Sequence, residues 1–363
     1  MKVLFSSGDV GGARALMPVI ETCIEKGLSV AVINNGHISQ EAPPHWEKIL
    51  TNRINSREEV KKFFKEEDIR LFIFTSSLKD STSLTLAQWA KELNVPVFHV
   101  LDNWTSYRER METDGLPSFS PDLYLVMDEM AREAALEEGI EKSKLKVTGH
   151  PALATLYKEY REWTAKNNRK YLMEFGFDSE RIIVSFISEP VEQDQGDSNH
   201  SPAYRGYTEK VVLPLFCDAL QPFSEKIQAA ILPHPRENIE GLRNLWNKCR
   251  GNLQGRLLRL SRGREGVFLC DGVAGMASLL LYEAWLLGKP VISLQPNLRQ
   301  KTLRMLEKRE NIIFVDSFLG MTSGIVRWAK EVLNKRSYGI RTELTAHEKA
   351  PDNIYKVIKG FIT

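Results

Sequence analysis

Short apolar runs alternate with amphipathic stretches along the first 150 residues of the chain. A run of roughly four to eight apolar residues is typical of a buried strand, and an apolar repeat of about 3.6 residues is typical of a helix. The runs predict strands at Lys2–Phe5, Leu28–Ile33, Leu71–Thr75, Val95–Val100, Pro121–Met127 and Lys144–Val147. The repeats predict helices at Ala13–Lys26, Arg57–Glu67, Leu84–Leu93 and Glu129–Glu138. Such alternation indicates a doubly wound parallel sheet.

The same alternation restarts after Gly149–Pro151. It predicts strands at Arg181–Ile187, Ile227–Leu232, Arg256–Leu260, Val267–Cys270, Val291–Ser293 and Ile312–Val315. It predicts helices at Leu153–Phe175, Thr208–Leu220, Ile239–Arg250, from Gly275 past Glu283 to Gly288, at Leu319–Asn334 and at Ala350–Phe361. We therefore predict an α/β protein with two Rossmann-like domains, residues 1–150 and 151–345, that face a cleft, and a C-terminal helix in residues 346–363.

Composition supports this class and excludes several others. A chain of 363 residues fits two domains better than one, and 42% hydrophobic with 26% charged residues is ordinary for a globular protein. A formal charge of +2 gives no reason to expect a nucleic-acid partner. The four cysteines lack metal-ligand or disulfide spacing, and no apolar run is long enough to span a bilayer. The N-terminus begins with a short strand rather than a signal peptide, so we expect a cytoplasmic protein.

The segment Asp271–Ile292 is the first candidate ligand site. It is predicted to turn through Asp271, Gly272 and Gly275 into a helix, whose unpaired N–H groups and dipole would attract an anion. Ser278 adds a hydroxyl, although a plain helix cap at Asp271 or Gly272 explains the turn equally well. Glu283 lies one to two turns further on. If it is buried, its carboxylate needs a partner, either a ligand hydroxyl or Lys289; the alternative is an exposed position on the helix.

A second candidate is His234, which lies between two prolines at the end of the predicted strand Ile227–Leu232. Its imidazole could donate to a phosphate oxygen, and Arg236 could add a bidentate clamp. The alternative is a structural histidine in a rigid turn. Further along the cleft, Asp102 and the aromatic residues Trp104 and Tyr107 follow the strand Val95–Val100, where parallel sheets bind ligands.

The longest stretch without predicted structure is Glu189–Gly206. Its acidic residues and His200 could suggest a metal site, but they lack regular ligand spacing, so we favour a solvated lid and predict no metal. Tyr204, Arg205 and Tyr207 could close over a nucleotide.

Four segments together resemble the GT-B nucleotide-sugar glycosyltransferases and their relatives. The resemblance includes lipid-A-disaccharide synthase, the peptidoglycan N-acetylglucosaminyltransferase and the UDP-N-acetylglucosamine 2-epimerases. The segments are Ser7–Gly12, Val147–Pro151, Leu232–Glu237 and Asp271–Ile292, in the order and spacing of that family. Two departures stand out, because Val273-Ala274 replaces the usual glycine pair and Ser188-Glu189-Pro190 replaces a glycine-rich loop.

The resemblance implies transfer of a sugar from a nucleotide-sugar donor to a hydroxyl acceptor in glycan or cell-envelope biosynthesis. The donor would be UDP-linked by preference, with CMP- or CDP-linked donors also fitting, and the acceptor a glycan or a lipid-linked sugar. A lipid acceptor would bring peripheral contact with the inner face of a membrane, and the oligomeric state stays open. No metal or other cofactor is implied. The final helix would cross back to the first domain.

The resemblance also assigns roles to residues. His234, Arg236, Asp271, Gly272, Gly275 and Ser278 would hold the diphosphate, and Glu283 would contact both ribose hydroxyls. His234 would also assist the leaving group. Transfer needs a base for the acceptor hydroxyl, for which Asp9 is a candidate and Asp102 and His37 are rivals. Capping of helix Ala13–Lys26 is the structural alternative for Asp9. Two other functions remain open, a nucleotide-sugar 2-epimerase and a non-catalytic nucleotide-sugar-binding module.

Overall fold

The computed structural model describes residues 1–76, 81–112, 119–167, 174–198, 200–260, 263–300 and 303–362. Within them the strands are β1 (Lys2–Ser6), β2 (Ser29–Asn34), β3 (Lys48–Leu50), β4 (Ile69–Phe74), β5 (Val97–Val100), β6 (Leu123–Val126), β7 (Leu145–Val147), β8 (Ile182–Ile187), β9 (Ile227–Leu232), β10 (Gln254–Leu257), β11 (Gly272–Gly275), β12 (Val291–Leu294) and β13 (Ile312–Val315).

The helices of the described residues cover both sheets. They are α1 (Val10–Glu25), α2 (Gly36–Glu41), α3 (Arg57–Glu66), α4 (Thr82–Glu92), α5 (Glu129–Glu137), α6 (Leu156–Asn167), α7 (Val191–Gln195), α8 (Glu209–Leu220), α9 (Ile239–Cys249), α10 (Gly263–Leu269), α11 (Leu279–Leu286), α12 (Phe318–Leu333), α13 (Glu343–Glu348) and α14 (Ala350–Ile362). Short 3-10 turns lie at Thr51–Arg53, Glu109–Met111, Lys142–Lys144, Pro151–Leu153 and Gln221–Phe223.

The chain forms two compact units, which we call unit 1 and unit 2. Unit 1 consists of Met1–Leu156 together with Glu343–Thr363, and unit 2 is Tyr157–Thr342. Unit 1 contains a seven-stranded sheet in the order β3-β2-β1-β4-β5-β6-β7, and unit 2 a six-stranded sheet in the order β10-β9-β8-β11-β12-β13. The paired strands run parallel. The prediction of two doubly wound α/β domains is confirmed.

Each unit has its own apolar core. In unit 1 the stripe Ile354, Tyr355 and Ile358 of α14 packs with buried residues of α1 and of the sheet, which explains why the C-terminal residues belong to this unit. In unit 2 α8 and α12 cover the sheet, with Phe216 in contact with both Phe186 and Trp328. Apolar cover on both faces is what makes a parallel sheet stable, because its strands are buried throughout.

The predicted strand Val267–Cys270 and the turn after it are wrong. Residues Gly263–Leu269 form helix α10, and the strand is the GVAG sequence of β11. The sequence pattern favours large apolar residues in a strand, but here the neighbours leave no room for them. A Cβ atom at Gly272 would lie 3.0 Å from the Trp328 ring, and one at Gly275 would lie 3.0 Å from the Ile187 carbonyl oxygen.

Other boundaries also differ from the sequence predictions. Strand β3 and helix α2 were not predicted, and β10 begins and ends earlier than Arg256–Leu260. The long helix Leu153–Phe175 is replaced by a 3-10 turn and α6, with residues 168–173 lying outside the described part of the chain. The segment Glu189–Gly206 contains the short helix α7, and its residue 199 is outside the described part as well. No helix in the described ranges is long and apolar enough to cross a membrane.

Candidate functional site

Each sheet has one switch point, the place where the order of its strands reverses. In unit 1 the reversal lies between β1 and β4, and in unit 2 between β8 and β11. Ligands of open α/β sheets bind outside the carboxyl ends of the strands at such a switch point. The residues that follow these strands are therefore the candidates: Ser7 and Thr75–Ser76 in unit 1, and Ser188–Glu189 and Met276–Ser278 in unit 2.

Small buried hydroxyl groups fill the switch point of unit 1. Thr75 Oγ1 donates to Ser7 Oγ at 2.8 Å, and Ser76 Oγ lies 3.1 Å from His99 Nε2. The Ser76 backbone N–H also donates to His99 Nε2, at 3.2 Å, so this nitrogen is an acceptor and the proton of the neutral ring is on Nδ1. Burial, and secondarily the charge of Arg110, hold the pKa of His99 well below 6.5.

Asp102 and Arg110 form an ion pair at the end of β5. Asp102 Oδ1 accepts from Arg110 at 2.8 Å, with only 9% and 14% of the two side chains exposed. Burial alone would lower the pKa of Arg110, but the charges of Asp102, Tyr124 and Asp9 raise it. The other Asp102 oxygen faces the first turn of α1, since a Cβ atom at Gly11 would lie 2.8 Å from it. One carboxylate is thus held by a cation and directed at a helix N-terminus.

The other candidate bases of unit 1 have structural partners. Asp9 is the N-cap of α1, and its Oδ1 accepts from the Gly12 N–H at 2.8 Å, which agrees with the capping alternative. Asp9 still lies close enough to contribute charge at Arg110. His37 begins α2 and contacts Glu41 at 2.8 Å. Of the three, Asp102 is the carboxylate that the fold brings together with a buried arginine.

Histidine and aromatic side chains surround the Asp102 backbone. His150 Nε2 lies 3.1 Å from the Asp102 carbonyl oxygen, and the His150 N–H donates to His347 Nδ1 at 3.1 Å. Trp104 is 3% exposed and donates its indole N–H to Asp128, and Tyr107 is 1% exposed. The two aromatic rings are therefore buried within unit 1.

The switch point of unit 2 is built from carboxylates. Glu189, directly after β8, accepts from the Ala277 N–H at 2.7 Å with one oxygen and from Arg205 at 3.1 Å with the other. Nearby, Tyr207 donates its hydroxyl to Gln295 at 3.1 Å. The backbone N–H before α11, where an anionic ligand is expected, is thus occupied by a side chain of the protein itself.

The His234 segment lies at the neighbouring strand end of the same sheet. The Arg236 N–H donates to His234 Nδ1 at 3.2 Å, which leaves the proton of the neutral ring on Nε2. The carboxylate of Glu237 accepts from the His234 N–H at 3.0 Å and from Ser188 at 2.6 Å, while burial raises the pKa of Glu237. The Arg236 guanidinium forms a bidentate pair with Asp194 at 2.7 Å. The segment presents a ring N–H donor and a guanidinium at the carboxyl edge.

The residues predicted around Asp271 are separated by the length of a strand. Ser278 is the N-cap of α11 at the carboxyl end of β11, and Gly275 is the last residue of that strand. Asp271 and Gly272 lie at the opposite end, where Asp271 exchanges hydrogen bonds with the backbone of Ile183. The predicted cluster is therefore divided, because the glycines belong to the strand itself and not to a turn.

Glu283 is held by Arg264 rather than by Lys289. Both Glu283 oxygens accept from the guanidinium, at 2.8 and 2.9 Å, and Arg264 also contacts Glu159 at 3.0 Å. The Glu283 side chain is 4% exposed. Lys289 instead donates to the carbonyl oxygens of Phe268 and Cys270. A ribose contact by Glu283 stays a prediction. The ribose hydroxyls would have to donate to carboxylate lone pairs that do not already accept from Arg264.

The sequence reasoning missed the partners of several candidates. Arg110 and Arg264 each complete a buried ion pair, and His99 fixes a hydroxyl at the switch point. Arg110 is only eight residues after Asp102, so their ion pair could have been suspected from the sequence. Arg264 and Glu283 are separated by strand β11, so their pairing has no local signal in the sequence. Within the described ranges no group of three or more His, Cys, Asp or Glu side chains is arranged to hold a metal ion.

Comparison with solved structures identifies the architecture. The chain is similar to the UDP-GlcNAc 2-epimerase of Methanocaldococcus jannaschii, with a TM-score of 0.69 and 16% identity over 99% of this chain and 100% of that one. The epimerase of Neisseria meningitidis bound to UDP-GlcNAc gives a TM-score of 0.69 and 13% identity, again over 99% and 100%. That of Rickettsia bellii gives 0.63 and 15%, over 100% and 96%. The fold is GT-B.

No protein-family model matches the chain, and no curated protein matches it in sequence. Its structural neighbours nevertheless correct one prediction. The prediction of sugar transfer to an acceptor is contradicted, because these structural neighbours, which match over the whole chain, are UDP-GlcNAc 2-epimerases. They favour the alternative prediction of a nucleotide-sugar 2-epimerase. Family resemblance in the sequence could not separate the two activities, since both use the same fold and a nucleotide-sugar.

Proposed function

We propose that the protein is a nucleotide-sugar 2-epimerase acting on a UDP-linked 2-acetamido sugar. The observation that carries this proposal is similarity to UDP-GlcNAc 2-epimerases along the whole chain, through both units. The substrate class follows from the neighbour bound to UDP-GlcNAc. The reaction needs no acceptor and is an isomerisation.

For the nucleotide we propose the carboxyl edge of unit 2. The Nε2–H of His234 is a donor for a diphosphate oxygen, since Nδ1 is occupied by the Arg236 N–H. Arg236 would add charge by exchanging Asp194 for phosphate, because a guanidinium binds both groups in the same bidentate manner. Ser278, at the start of α11, would contribute its hydroxyl.

For the sugar chemistry we propose Asp102. Inversion at C2 requires that the hydrogen on this carbon leaves and that a proton returns on the opposite face, so the site needs groups that accept and donate protons. Asp102 Oδ1 accepts a hydrogen bond from the Arg110 guanidinium, which fixes the orientation of the carboxylate. Its second oxygen, which faces Gly11, is the one we assign to the substrate.

Proton NMR in heavy water tests the proposal directly. The purified protein is incubated with UDP-GlcNAc, and the expected result is a second UDP-sugar epimeric at C2, with deuterium at C2 in the product. A reaction that gives the epimer without deuterium would contradict the proton-exchange role of Asp102. The absence of any epimer, with UDP-GlcNAc binding retained in calorimetry, would overturn the enzymatic proposal and leave a binding protein.

The same sample tests the nucleotide edge. His234→Ala is expected to weaken UDP binding about tenfold or more, since a hydrogen bond to a charged group contributes about 1.5–3 kcal/mol. His45→Ala, an exposed histidine of unit 1, is the matched control and leaves UDP binding unchanged. Equal UDP affinity of His234→Ala and His45→Ala would show that His234 does not bind the nucleotide.

A further inference from the structure

Two of the four cysteines lie in contact on neighbouring helices of unit 2. Cys217 is in α8 and Cys249 is the last residue of α9, and their sulfur atoms are 3.5 Å apart. Both are free thiols. Cys217 is fully buried, whereas Cys249 is half-buried and therefore accessible to a small molecule in solution.

A glutamine holds these two helix ends together. The Gln221 side-chain N–H donates to the carbonyl oxygens of Cys217 and Arg250, both at 2.9 Å, and its oxygen accepts from the Asn252 N–H at 3.0 Å. The three bonds join the end of α8 to the end of α9. These bonds keep the two thiols adjacent, in addition to the hydrogen bond between the two sulfurs.

We propose that Cys217 and Cys249 are an oxidation site, a dithiol that closes to an intramolecular disulfide. A disulfide bond is about 2.05 Å long, so the sulfurs must approach by about 1.5 Å, which side-chain rotation and small helix shifts can supply. Oxidation of this pair is independent of the proposed enzymatic activity, because Cys217 lies about two turns along α8 from the helix start at the carboxyl edge.

The order of reaction follows from exposure. The Cys249 thiolate attacks hydrogen peroxide, the O–O bond breaks, and a sulfenic acid forms at Cys249 while hydroxide leaves and takes up a proton. The Cys217 thiol then attacks the Cys249 sulfur, so that the S–S bond forms and a second water leaves. The two sulfurs give up two electrons in total, and these reduce one peroxide to two waters.

The electrostatics of the pair agree with this order. The hydrogen bond between the two sulfurs lowers the pKa of Cys249, and the same bond together with burial raises the pKa of Cys217. A lower pKa gives more of the nucleophilic thiolate at neutral pH. The remaining cysteines are internal controls, since burial raises the pKa of both Cys23 and Cys270 to about 12.

The test is oxidation of the folded full-length chain. Reduced protein is treated with stoichiometric hydrogen peroxide and digested under alkylating conditions, and the peptides are analysed by mass spectrometry. The expected product is a single Cys217–Cys249 disulfide that is reopened by dithiothreitol, with Cys23 and Cys270 still alkylated. A disulfide that joins two chains through Cys249, or native protein that keeps four free thiols while the unfolded chain is oxidised, would overturn the proposal.

Two single substitutions separate the roles. With Cys217→Ser the sulfenic acid at Cys249 has no resolving thiol, so dimedone is expected to label Cys249; with Cys249→Ser dimedone leaves Cys217 unlabelled. The reverse labelling pattern would contradict the assigned order. Oxidation should also raise the unfolding midpoint of the wild type by roughly 5–10 °C, because the disulfide closes the loop between Cys217 and Cys249. Oxidation should leave the midpoint of both variants unchanged. Should a serine variant fold poorly, the alanine variant at the same position, Cys217→Ala or Cys249→Ala, provides the same comparison.

Discussion

The carboxyl edges of the two sheets share a topology and differ in chemistry. In unit 1 the switch point is lined by neutral hydroxyls, and its charge is concentrated in the Asp102–Arg110 pair. In unit 2 Glu189 lies at the switch point, and Glu209 and Glu237 lie on neighbouring segments of the same edge. Burial raises the pKa of both Glu209 and Glu237. The same topology therefore has one edge with a buried carboxylate–guanidinium pair and another in which Glu189 already occupies backbone and arginine donors.

The difference shows how each unit satisfies its unpaired backbone groups. Unit 1 caps α1 with Asp9 and keeps the second oxygen of Asp102 near the same helix end. Unit 2 places Glu189 on the Ala277 N–H and holds it with Arg205. An anionic ligand at unit 2 must therefore compete with Glu189, whereas in unit 1 the second oxygen of Asp102 lies beside the first turn of α1.

The largest expected effect concerns the proton-transfer role of Asp102. Asp102→Asn keeps the shape and one acceptor oxygen but removes the charge, so epimer formation is expected to fall about 10²–10⁴-fold, the usual contribution of an acid–base group. The rate is measured by NMR on UDP-GlcNAc, with UDP binding and thermal unfolding measured on the same samples. Asp128→Asn is the matched control, because Asp128 is another carboxylate of this edge and caps α5. Equal rates of epimer formation in Asp102→Asn and Asp128→Asn would contradict the proposed role of Asp102.

The second effect concerns the ion pair of unit 2. Arg264→Ala leaves the Glu283 carboxylate, 4% exposed, without its principal cation, so the free energy of unfolding should fall by about 3–5 kcal/mol. Replacing both Arg264 and Glu283 by Met should restore much of this stability, because both buried charges of the pair are then removed. Arg243→Ala, in an exposed pair with Glu240, should cost at most about 1 kcal/mol. Denaturant unfolding measures all three, and a small effect of Arg264→Ala would indicate that water reaches Glu283.

The third effect tests the close packing of the unit 1 switch point. A Cβ atom at Gly12 would lie 2.6 Å from Ser7 Oγ and 2.8 Å from Thr75 Cβ, so Gly12→Ala should destabilise the protein by about 1–3 kcal/mol. Gly360→Ala is the opposite case, since nothing lies within 4 Å of the added atom and the helix α14 gains up to about 1 kcal/mol. Unfolding midpoints in urea compare the two, and a neutral Gly12→Ala would show that α1 can move away from β4.

The smallest effect is a pH dependence from His99. Its pKa in the folded protein is well below 6.5, whereas the unfolded chain takes up a proton near pH 6.5. The unfolded state therefore binds more protons as the pH falls below about 6.5, and stability is lost by up to about 1.4 kcal/mol per pH unit from this group. His99→Gln should flatten the stability curve between pH 7 and pH 5.5. Phe74→Leu, a packing change beside His99, should lower the curve without changing its slope.

The strands and helices were predictable where one apolar pattern dominated. Lys2–Phe5, Ile227–Leu232 and Ile312–Val315 are strands within one residue of the expected bounds. The prediction failed at β11, because a GVAG strand contains no large apolar residue and Gly263–Leu269 can present an apolar face as a helix. Which pattern is a strand depends there on Trp328 and Ile187, which are distant in sequence and leave room only for glycine.

The sequence by itself determined the alternating α/β class, the two units and the strand ends on which His234 and Asp102 lie, because local periodicity and chain order carry that information. It did not determine the strand end at Ser278, since that strand was predicted at Val267–Cys270 and lies at Gly272–Gly275. Only the tertiary structure decided the partners of these residues. Arg264 reaches Glu283 and Glu189 reaches Ala277 because parallel strands bring their carboxyl ends to one edge. The bond between Glu189 and Ala277 joins residues that are 88 positions apart, and no local pattern encodes it.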